Sequence, residues 1–189
     1  MLRVTPSAED IAAAVALCGD VDLLINNAGI TARGESTLSG SGVDVLRELM
    51  ETNLYGVLAV SRGFAPVLGA NGSGALVNML SVLSWISLPG TSLYPITKAA
   101  AWSLTNALRN ELSSQGTQVV GVHAGLIETD MIKGFPSTSM PRSRPEDIAA
   151  AVIKGIEAGD SEVIADDTSR SVKTGFSATP SAYLATAAR

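Results

Sequence analysis

Tyr94 and Lys98 are the two side chains in this sequence with the clearest capacity for acid–base chemistry. Residues four apart on a helix lie on one face, so a helix through both places the phenol beside the ammonium. A phenol with an ordinary pKa of about 10 exchanges protons poorly at neutral pH unless its anion is stabilised, and a nearby ammonium supplies that stabilisation. The pair predicts proton transfer by Tyr94 assisted by Lys98. Taken alone, this spacing is also typical of an ordinary helix surface.

Other polar residues stand at ordered positions before and after this pair. Residues 26–29 (Asn-Asn-Ala-Gly) follow an apolar, strand-like run, and Asn53 lies in a long helical pattern. Ser81 ends a second strand-like run, thirteen residues before Tyr94. Because the carboxyl ends of parallel strands meet at one edge of a sheet, we expect Ser81, Tyr94, Lys98 and Asn53 to converge there.

The elements that must position these residues alternate between strands and helices. Strand patterns cover 21–25, 75–79, 118–122 and 162–165, and helical patterns cover 6–17, 43–67, 93 to just before 116, and 145–159. Thr5 is predicted as the N-cap of the first helix, with Pro6 as its first residue. This alternation predicts a doubly wound α/β fold, with a mostly parallel sheet covered by helices on both faces.

Composition excludes several classes of protein. The chain has 189 residues, of which 46% are hydrophobic and 16% charged, so it is expected to form one globular domain. A net charge of −5 without a basic run argues against nucleic acid as a partner. Cys18 is the single cysteine, which excludes a disulfide framework and favours the cytoplasm. No apolar stretch is long enough to predict a membrane span.

Five motifs in order resemble the classical short-chain dehydrogenase/reductase family, from about residue 2 to residue 165. They are Asn-Asn-Ala-Gly at 26–29, Asn53, Ser81, Tyr-Pro-Ile-Thr-Lys at 94–98, and Gly-Leu-Ile-Glu-Thr-Asp-Met at 125–131. The resemblance implies a Rossmann-like fold and hydride transfer between NAD or NADP and a small carbonyl or alcohol substrate. It also implies a homo-oligomer in the full-length form of the family, and it leaves residues 166–189 as a C-terminal tail.

The resemblance implies four catalytic residues. Tyr94 matches the proton donor and acceptor of the family, and Lys98 matches the lysine that lowers its pKa and binds the nicotinamide ribose. Ser81 matches the residue that holds the substrate oxygen. Asn53 matches the asparagine that kinks its helix and holds a water beside the lysine.

Cofactor contacts are implied in the same way. Asn26, Ala28 and Gly29 match the turn that lies along the adenosine side of the cofactor. Ile127 and Thr129 match positions that bind the nicotinamide carboxamide, and Tyr94 and Lys98 also contact the nicotinamide end.

Several residues depart from the family pattern. His123 and Ala124 stand where Asn-Pro is common, which removes a rigid proline from the loop that follows. His123 is expected to be a core or pocket-wall residue rather than a base. Ser84 places a second hydroxyl near Ser81, and the spacing favours Ser81 as the substrate-binding hydroxyl. The two aspartates at 166–167 are expected to form a solvated turn.

The largest departure concerns the glycine-rich turn that cradles the cofactor pyrophosphate. No Thr-Gly-x-x-x-Gly-x-Gly pattern occurs in the sequence, so we expect a partial Rossmann domain that lacks the first βαβ unit, with the strand at 21–25 exposed as an edge. Two alternatives to an active dehydrogenase remain open. One is a catalytically incompetent, truncated remnant or gene-model fragment of such an enzyme. The other is a serine hydrolase using Ser81, for which a Gly-x-Ser-x-Gly motif is missing.

Overall fold

A computed structural model describes residues 6–32, 34–72, 74–89, 91–133 and 140–184. Its main sheet has four parallel strands in the spatial order β1-β2-β3-β6. The strands are β1 (Leu23–Asn26), β2 (Ala75–Met79), β3 (Gln118–His123) and β6 (Glu162–Ile164), while β4 (Leu126–Ile127) and β5 (Arg142–Ser143) form a separate parallel pair. The helices are α1 (Ala8–Leu17), α2 (Gly42–Met50), α3 (Val57–Ala70), α4 (Leu93–Glu111), α5 (Pro145–Glu157) and α6 (Asp167–Thr174).

Apolar side chains cover both faces of the sheet, as the sequence predicts for a doubly wound fold. On one face, Val77 and Val120 pack against Ile148 and Val152 of α5. On the other face, neighbouring strand residues pack against Leu68 of α3 and against α4. Strand residues on both faces are therefore apolar, as expected for a parallel sheet between two helical layers.

Helix boundaries differ from the prediction at the amino end. The first helix begins at Ala8, with Ser7 as its N-cap, and the Ser7 side chain accepts a hydrogen bond of 3.1 Å from the amide of Asp10. Asp10 in turn accepts from the Ser7 amide, so the two residues form a capping box. The prediction of Pro6 as the first helical residue is therefore wrong, and Thr5 lies outside the described residues.

One long helix carries the predicted pattern at 43–67. Helices α2 and α3 are continuous with each other through a π-helical segment, Glu51–Gly56. Such a wide turn is uncommon and often marks a functional site. It holds Asn53, the residue for which the family resemblance implies a kink in the helix.

Strand β1 forms one edge of the sheet. It starts two residues later than predicted, because pairing with β2 begins at Leu23 opposite Ala75. Its outer edge has no strand partner within the ranges that the structure describes, and the Ile25 side chain is 44% exposed. This agrees with the expectation that the strand is an exposed edge.

Residues 166–184, part of the predicted tail, contain more regular structure than the sequence predicts. Asp166 is the N-cap of α6, and its Oδ1 accepts a hydrogen bond of 2.8 Å from the amide of Ser169. Its other oxygen accepts a hydrogen bond of 2.6 Å from the amide of Gly125. The expectation of a solvated turn at 166–167 is wrong for Asp166, whose carboxylate binds two backbone amides, while Asp167 is solvent-exposed in the first turn of α6.

Candidate active site

A cavity of about 810 Å³ opens at the carboxyl ends of the strands. Seven of the nine residues predicted for the site lie in its wall: Ala28, Gly29, Ser81, Tyr94, Lys98, Ile127 and Thr129. The other two, Asn26 and Asn53, lie outside the wall. The parallel strands thus bring together residues that are up to about a hundred positions apart in sequence.

Tyr94 lies in the first turn of α4, where Pro95 is tolerated because its missing N–H would have no partner there. The Tyr94 hydroxyl forms a hydrogen bond with the side chain of Ser81. Burial raises the pKa of Tyr94 to about 12, and the bond to Ser81 opposes this rise. The Tyr94 pKa is thus raised, whereas the nearby Lys98 was expected to lower it, because desolvation of the phenolate outweighs the other interactions. At neutral pH Tyr94 is a protonated donor.

Lys98 lies one turn further along α4 and is only 5% exposed. Its Nζ donates a hydrogen bond of 2.8 Å to the carbonyl oxygen of Met79 and lies 5.7 Å from the centroid of the Tyr94 ring. Burial lowers the pKa of Lys98 to about 8, because the apolar surroundings disfavour the ammonium. The ammonium and the phenol therefore face the same cavity, as the spacing of four residues predicts.

Ser81 follows β2 and is the N-cap of a single 3-10 turn, Val82–Ser84. Its Oγ accepts a hydrogen bond of 3.1 Å from the amide of Leu83. Ser84 does not lie in the wall of the cavity; its buried Oγ accepts a hydrogen bond of 3.2 Å from the amide of Ser81. The two hydroxyls therefore have different roles, and only that of Ser81 reaches Tyr94.

Asn53 lies behind the wall of the cavity and is fully buried. Its Oδ1 accepts a hydrogen bond from the amide of Ile30, and its Nδ2 donates to the carbonyl of Ile30 and to the hydroxyl of Thr97, each at 2.9 Å. A Cβ atom on Gly29 would lie 3.4 Å from Asn53 Oδ1 and 3.6 Å from Lys98 Nζ. Asn53 thus joins three segments: the π-helical turn, the loop after β1 and helix α4.

Asn26 is turned into the protein rather than toward the cavity. Its Nδ2 donates to Ser61 Oγ at 3.0 Å and to Asn78 Oδ1 at 2.8 Å, and Asn78 donates onward to Thr105. These bonds link β1, β2, α3 and α4 below the site. Asn27, which was not predicted as a cofactor contact, lies in the wall instead. Its place in the Asn-Asn-Ala-Gly turn is the signal that points to it.

The loop after β3 carries Ile127 and Thr129. Ile127 belongs to β4, which pairs with β5, and the Thr129 hydroxyl donates to the carbonyl of Ile127 at 3.3 Å. The loop lacks the proline common in the family, yet the bond from the Gly125 amide to Asp166 fixes its start. This contact gives α6 a direct connection to the site.

Further negative observations apply to the described ranges. They contain no group of three or more His, Cys, Asp or Glu side chains placed to hold a metal ion. Their helices include none that is both long and apolar enough to cross a membrane.

The chain is similar to known proteins in sequence and in fold. The sequence model of the short chain dehydrogenase family matches residues 5–139. The chain is similar to 2-(R)-hydroxypropyl-CoM dehydrogenase of Xanthobacter autotrophicus, with 33% identity over 159 residues that cover 82% of this chain and 61% of that protein. The chain therefore spans less than two thirds of the length of this relative.

Two solved structures show the same fold. A short chain dehydrogenase from Burkholderia cenocepacia in complex with NADP has a TM-score of 0.85 and 32% identity, covering 95% of this chain and 73% of that chain. A short-chain dehydrogenase from Sphingobium yanoikuyae in complex with NADPH has a TM-score of 0.71 and 26% identity, covering 86% of this chain and 65% of that chain. Both similarities extend over most of the present chain.

Proposed function

This chain belongs to the short chain dehydrogenase family, and we propose that it transfers hydride between NAD or NADP and a small carbonyl or alcohol substrate. The observation that carries the proposal is the contact between the hydroxyls of Tyr94 and Ser81 at the cavity, with the buried Lys98 ammonium one helical turn away. A protonated phenol beside a second hydroxyl suits the binding and protonation of a carbonyl oxygen.

The residues in the wall fit the nicotinamide end of the cofactor. An ammonium has three N–H donors, and among the described residues Lys98 has one acceptor, Met79 O, so the remaining donors suit the hydroxyls of a ribose. Thr129 offers a hydroxyl near Ile127, while Ala28 and Gly29, which match the turn along the adenosine side, present little side-chain bulk to the cofactor. When bound, the nicotinamide ring supplies or accepts the hydride. The NADP and NADPH in the two similar structures support this choice of cofactor.

In the direction of reduction, the Ser81 hydroxyl donates a hydrogen bond to the carbonyl oxygen and holds it beside Tyr94. Tyr94, protonated at neutral pH, donates its proton to that oxygen as negative charge develops on it. The phenolate that remains lies near the Lys98 ammonium, which stabilises it by charge attraction in a desolvated site. Asn53 holds the loop after β1 against α4 and so keeps Gly29 close to the Lys98 ammonium.

The test is turnover by the full chain. Oxidation of NADPH and of NADH is followed with a panel of small ketones and aldehydes at neutral pH, beside a Tyr94→Phe variant prepared in the same way. The expected result is carbonyl-dependent oxidation of one cofactor that the variant lacks. A folded wild-type chain that oxidises neither cofactor with any carbonyl, or a variant as active as the wild type, would contradict the proposal.

A further inference from the structure

His123 is a buried titratable side chain that the proposed reaction does not use. It ends β3, is fully buried and lies outside the cavity wall. Its Nδ1 lies 3.1 Å from the backbone carbonyl oxygen of Ser81. A carbonyl oxygen only accepts hydrogen bonds, so this contact requires the proton of the ring to be on Nδ1.

Neighbouring groups fix the orientation of the imidazole. The indole of Trp85 stacks on the ring, with centroids 3.7 Å apart and planes inclined by 18°. Trp102 packs edge-on against the imidazole, with ring centroids 6.3 Å apart. The backbone carbonyl of His123 accepts a hydrogen bond of 2.9 Å from the amide of Ala165. The ring therefore cannot turn away from Ser81 without disturbing these contacts.

The other ring nitrogen, Nε2, lies beside a charged pair of side chains. Among the described residues, Nε2 makes no hydrogen bond; it lies 3.2 Å from a carboxylate oxygen of Glu162, whose second oxygen pairs with Lys173. Burial lowers the pKa of His123 to about 4, and the charge of Lys173 acts in the same direction. The burial thus favours a neutral ring, and the contact with the Ser81 carbonyl assigns a proton to Nδ1.

The bond to Ser81 acts on the backbone beside the proposed substrate-binding hydroxyl. The same carbonyl accepts a hydrogen bond of 2.9 Å from the amide of Ser84, which closes the 3-10 turn. The next amide, that of Val82, donates 2.8 Å to the carbonyl of Ala124. His123 and Ala124 thus hold the two ends of one peptide group, the Ser81 carbonyl and the Val82 amide, from the end of β3.

We propose that His123 is a positioning residue, whose Nδ1–H holds the Ser81 carbonyl and thereby sets where the Ser81 hydroxyl meets Tyr94 and the substrate oxygen. The proposal rests on the proposed function in so far as Ser81 binds the substrate. Small displacements of such a group have large effects, since a misplacement of about 1 Å can cost on the order of 100-fold in rate.

Two substitutions separate the hydrogen bond from the packing. In His123→Asn, the side-chain amide nitrogen is as many bonds from Cβ as Nδ1 is, so a donor to Ser81 remains while the stack on Trp85 is lost. In His123→Phe, the aromatic stack remains and the donor is lost. If His123 positions Ser81, the Phe variant loses activity and the Asn variant retains it. If His123 serves only in packing, the order is reversed.

The expected kinetic result is a fall in kcat of roughly tenfold for His123→Phe, with the KM for cofactor unchanged, and a fall of no more than about threefold for His123→Asn. Glu162→Gln is the control at the other ring nitrogen, and it is expected to leave kcat unchanged. Equal kcat values in the Phe variant and the wild type, or a lower kcat in the Asn variant than in the Phe variant, would overturn the proposal.

A second measurement does not depend on turnover or on the folding of a variant. His123 is the only histidine, so the imidazole nitrogens in a 15N spectrum of the wild-type chain belong to it alone. The expected spectrum at neutral pH is that of a neutral ring protonated on Nδ1. A ring whose Nδ1 carries no proton at neutral pH would overturn the proposal.

The two hypotheses can fail separately. In the first case the wild-type chain has no activity, but His123 is protonated on Nδ1, and the NMR chemical shifts of the Ser81 and Leu83 amides change in the Phe variant and not in the Asn variant. The proposed reaction then fails, and the positioning of the turn stands. If the chain is active and those shifts are the same in both variants, the positioning proposal fails and the reaction stands.

Discussion

The Nζ of Lys98 donates a hydrogen bond of 2.8 Å to the carbonyl oxygen of Met79. This bond joins the helix that carries Tyr94 to the strand that leads into Ser81. It also buries the Lys98 ammonium, and burial lowers the pKa of this group to about 8. The positive charge used in the proposed reaction therefore destabilises the folded chain. Activity and stability therefore place opposite demands on this residue.

Replacing Lys98 with Met tests that opposition. Methionine keeps an unbranched apolar stem and removes the ammonium. The lowered pKa of Lys98 corresponds to about 3 kcal/mol of unfavourable charge burial at neutral pH, partly offset by the hydrogen bond to Met79. We expect the variant to gain on the order of 1 kcal/mol in free energy of unfolding, while kcat falls and cofactor KM rises. Urea unfolding and steady-state kinetics measure the two effects, and a variant that is both less stable and fully active would contradict this account.

Removing the Tyr94 hydroxyl is expected to affect the chemical step alone. Loss of a general acid costs roughly 100- to 10,000-fold in rate, so Tyr94→Phe is expected to lower kcat by that order while the cofactor affinity changes little. Tyr183→Phe is the matched control, because Tyr183 is 56% exposed and lies outside the cavity wall. The measurements are kcat and cofactor Kd for both variants. Equal losses in the two variants would show that the effect is not specific to the site.

Local sequence patterns predicted the elements that depend on local interactions. The strand at 75–79 and the start of α4 at Leu93 agree with the structure, because apolar runs and helix-forming residues specify them directly. The π-helical segment was not predictable in this way. Its residues suit an ordinary helix, and the bonds from Asn53 to Ile30 and Thr97 connect segments 23 and 44 residues apart.

The same distinction applies within the site. The spacing of Tyr94 and Lys98 predicted that both face one cavity, since it depends only on helix geometry. The role of Asp166 was missed, because its partner Gly125 lies 41 residues earlier. The direction of the Tyr94 pKa was also missed, because it depends on burial that the tertiary structure creates.

Asn53 is expected to matter for stability as well as for position. Asn53→Asp retains an acceptor for the Ile30 amide but loses both donated hydrogen bonds and buries a carboxylate. We expect a loss of about 2–4 kcal/mol in free energy of unfolding. Asn71→Asp is a control on the exposed side of the fold, where Asn71 donates to the carbonyls of Gly19 and Val21. Urea unfolding measures the free energy of unfolding of both variants. A smaller loss of stability in Asn53→Asp than in Asn71→Asp would contradict the expectation that the buried hydrogen bonds of Asn53 stabilise the fold.

The two adjacent aspartates at the start of α6 provide another matched pair. Asp166 accepts hydrogen bonds from the amides of Ser169 and Gly125, whereas the Asp167 side chain is 97% exposed. Loss of an N-cap costs about 0.5–2 kcal/mol, and a second buried amide loses its partner as well. We expect Asp166→Ala to lower the free energy of unfolding by about 2 kcal/mol and to raise the substrate KM, because the loop of Ile127 and Thr129 is released. Asp167→Ala is expected to change neither the free energy of unfolding nor the substrate KM. Equal effects in both variants would refute the role of Asp166 as N-cap and loop anchor.

The pH dependence of stability should carry a contribution from His123. Burial places its pKa at about 4 in the folded chain, against an ordinary value of about 6.5 in the unfolded chain. Between these pH values the unfolded chain binds a proton that the folded chain does not. The contribution of His123 to the free energy of unfolding is therefore fully present above pH 6.5 and is lost as the pH is lowered toward 4. The largest contribution is about 3 kcal/mol.

Carboxylates titrate over part of the same range, so the test of this contribution is a difference between two chains. His123→Phe keeps the aromatic packing and removes the titrating group, and its free energy of unfolding is expected to fall less than that of the wild type between pH 6.5 and 4.5. Urea unfolding at several pH values in this interval measures both curves, and the gap between them is expected to change steadily with pH because protonation of the unfolded histidine is linked to unfolding. Parallel curves would mean that His123 binds its proton equally well in the folded and unfolded chains, which is inconsistent with a buried, neutral ring that donates from Nδ1 to Ser81.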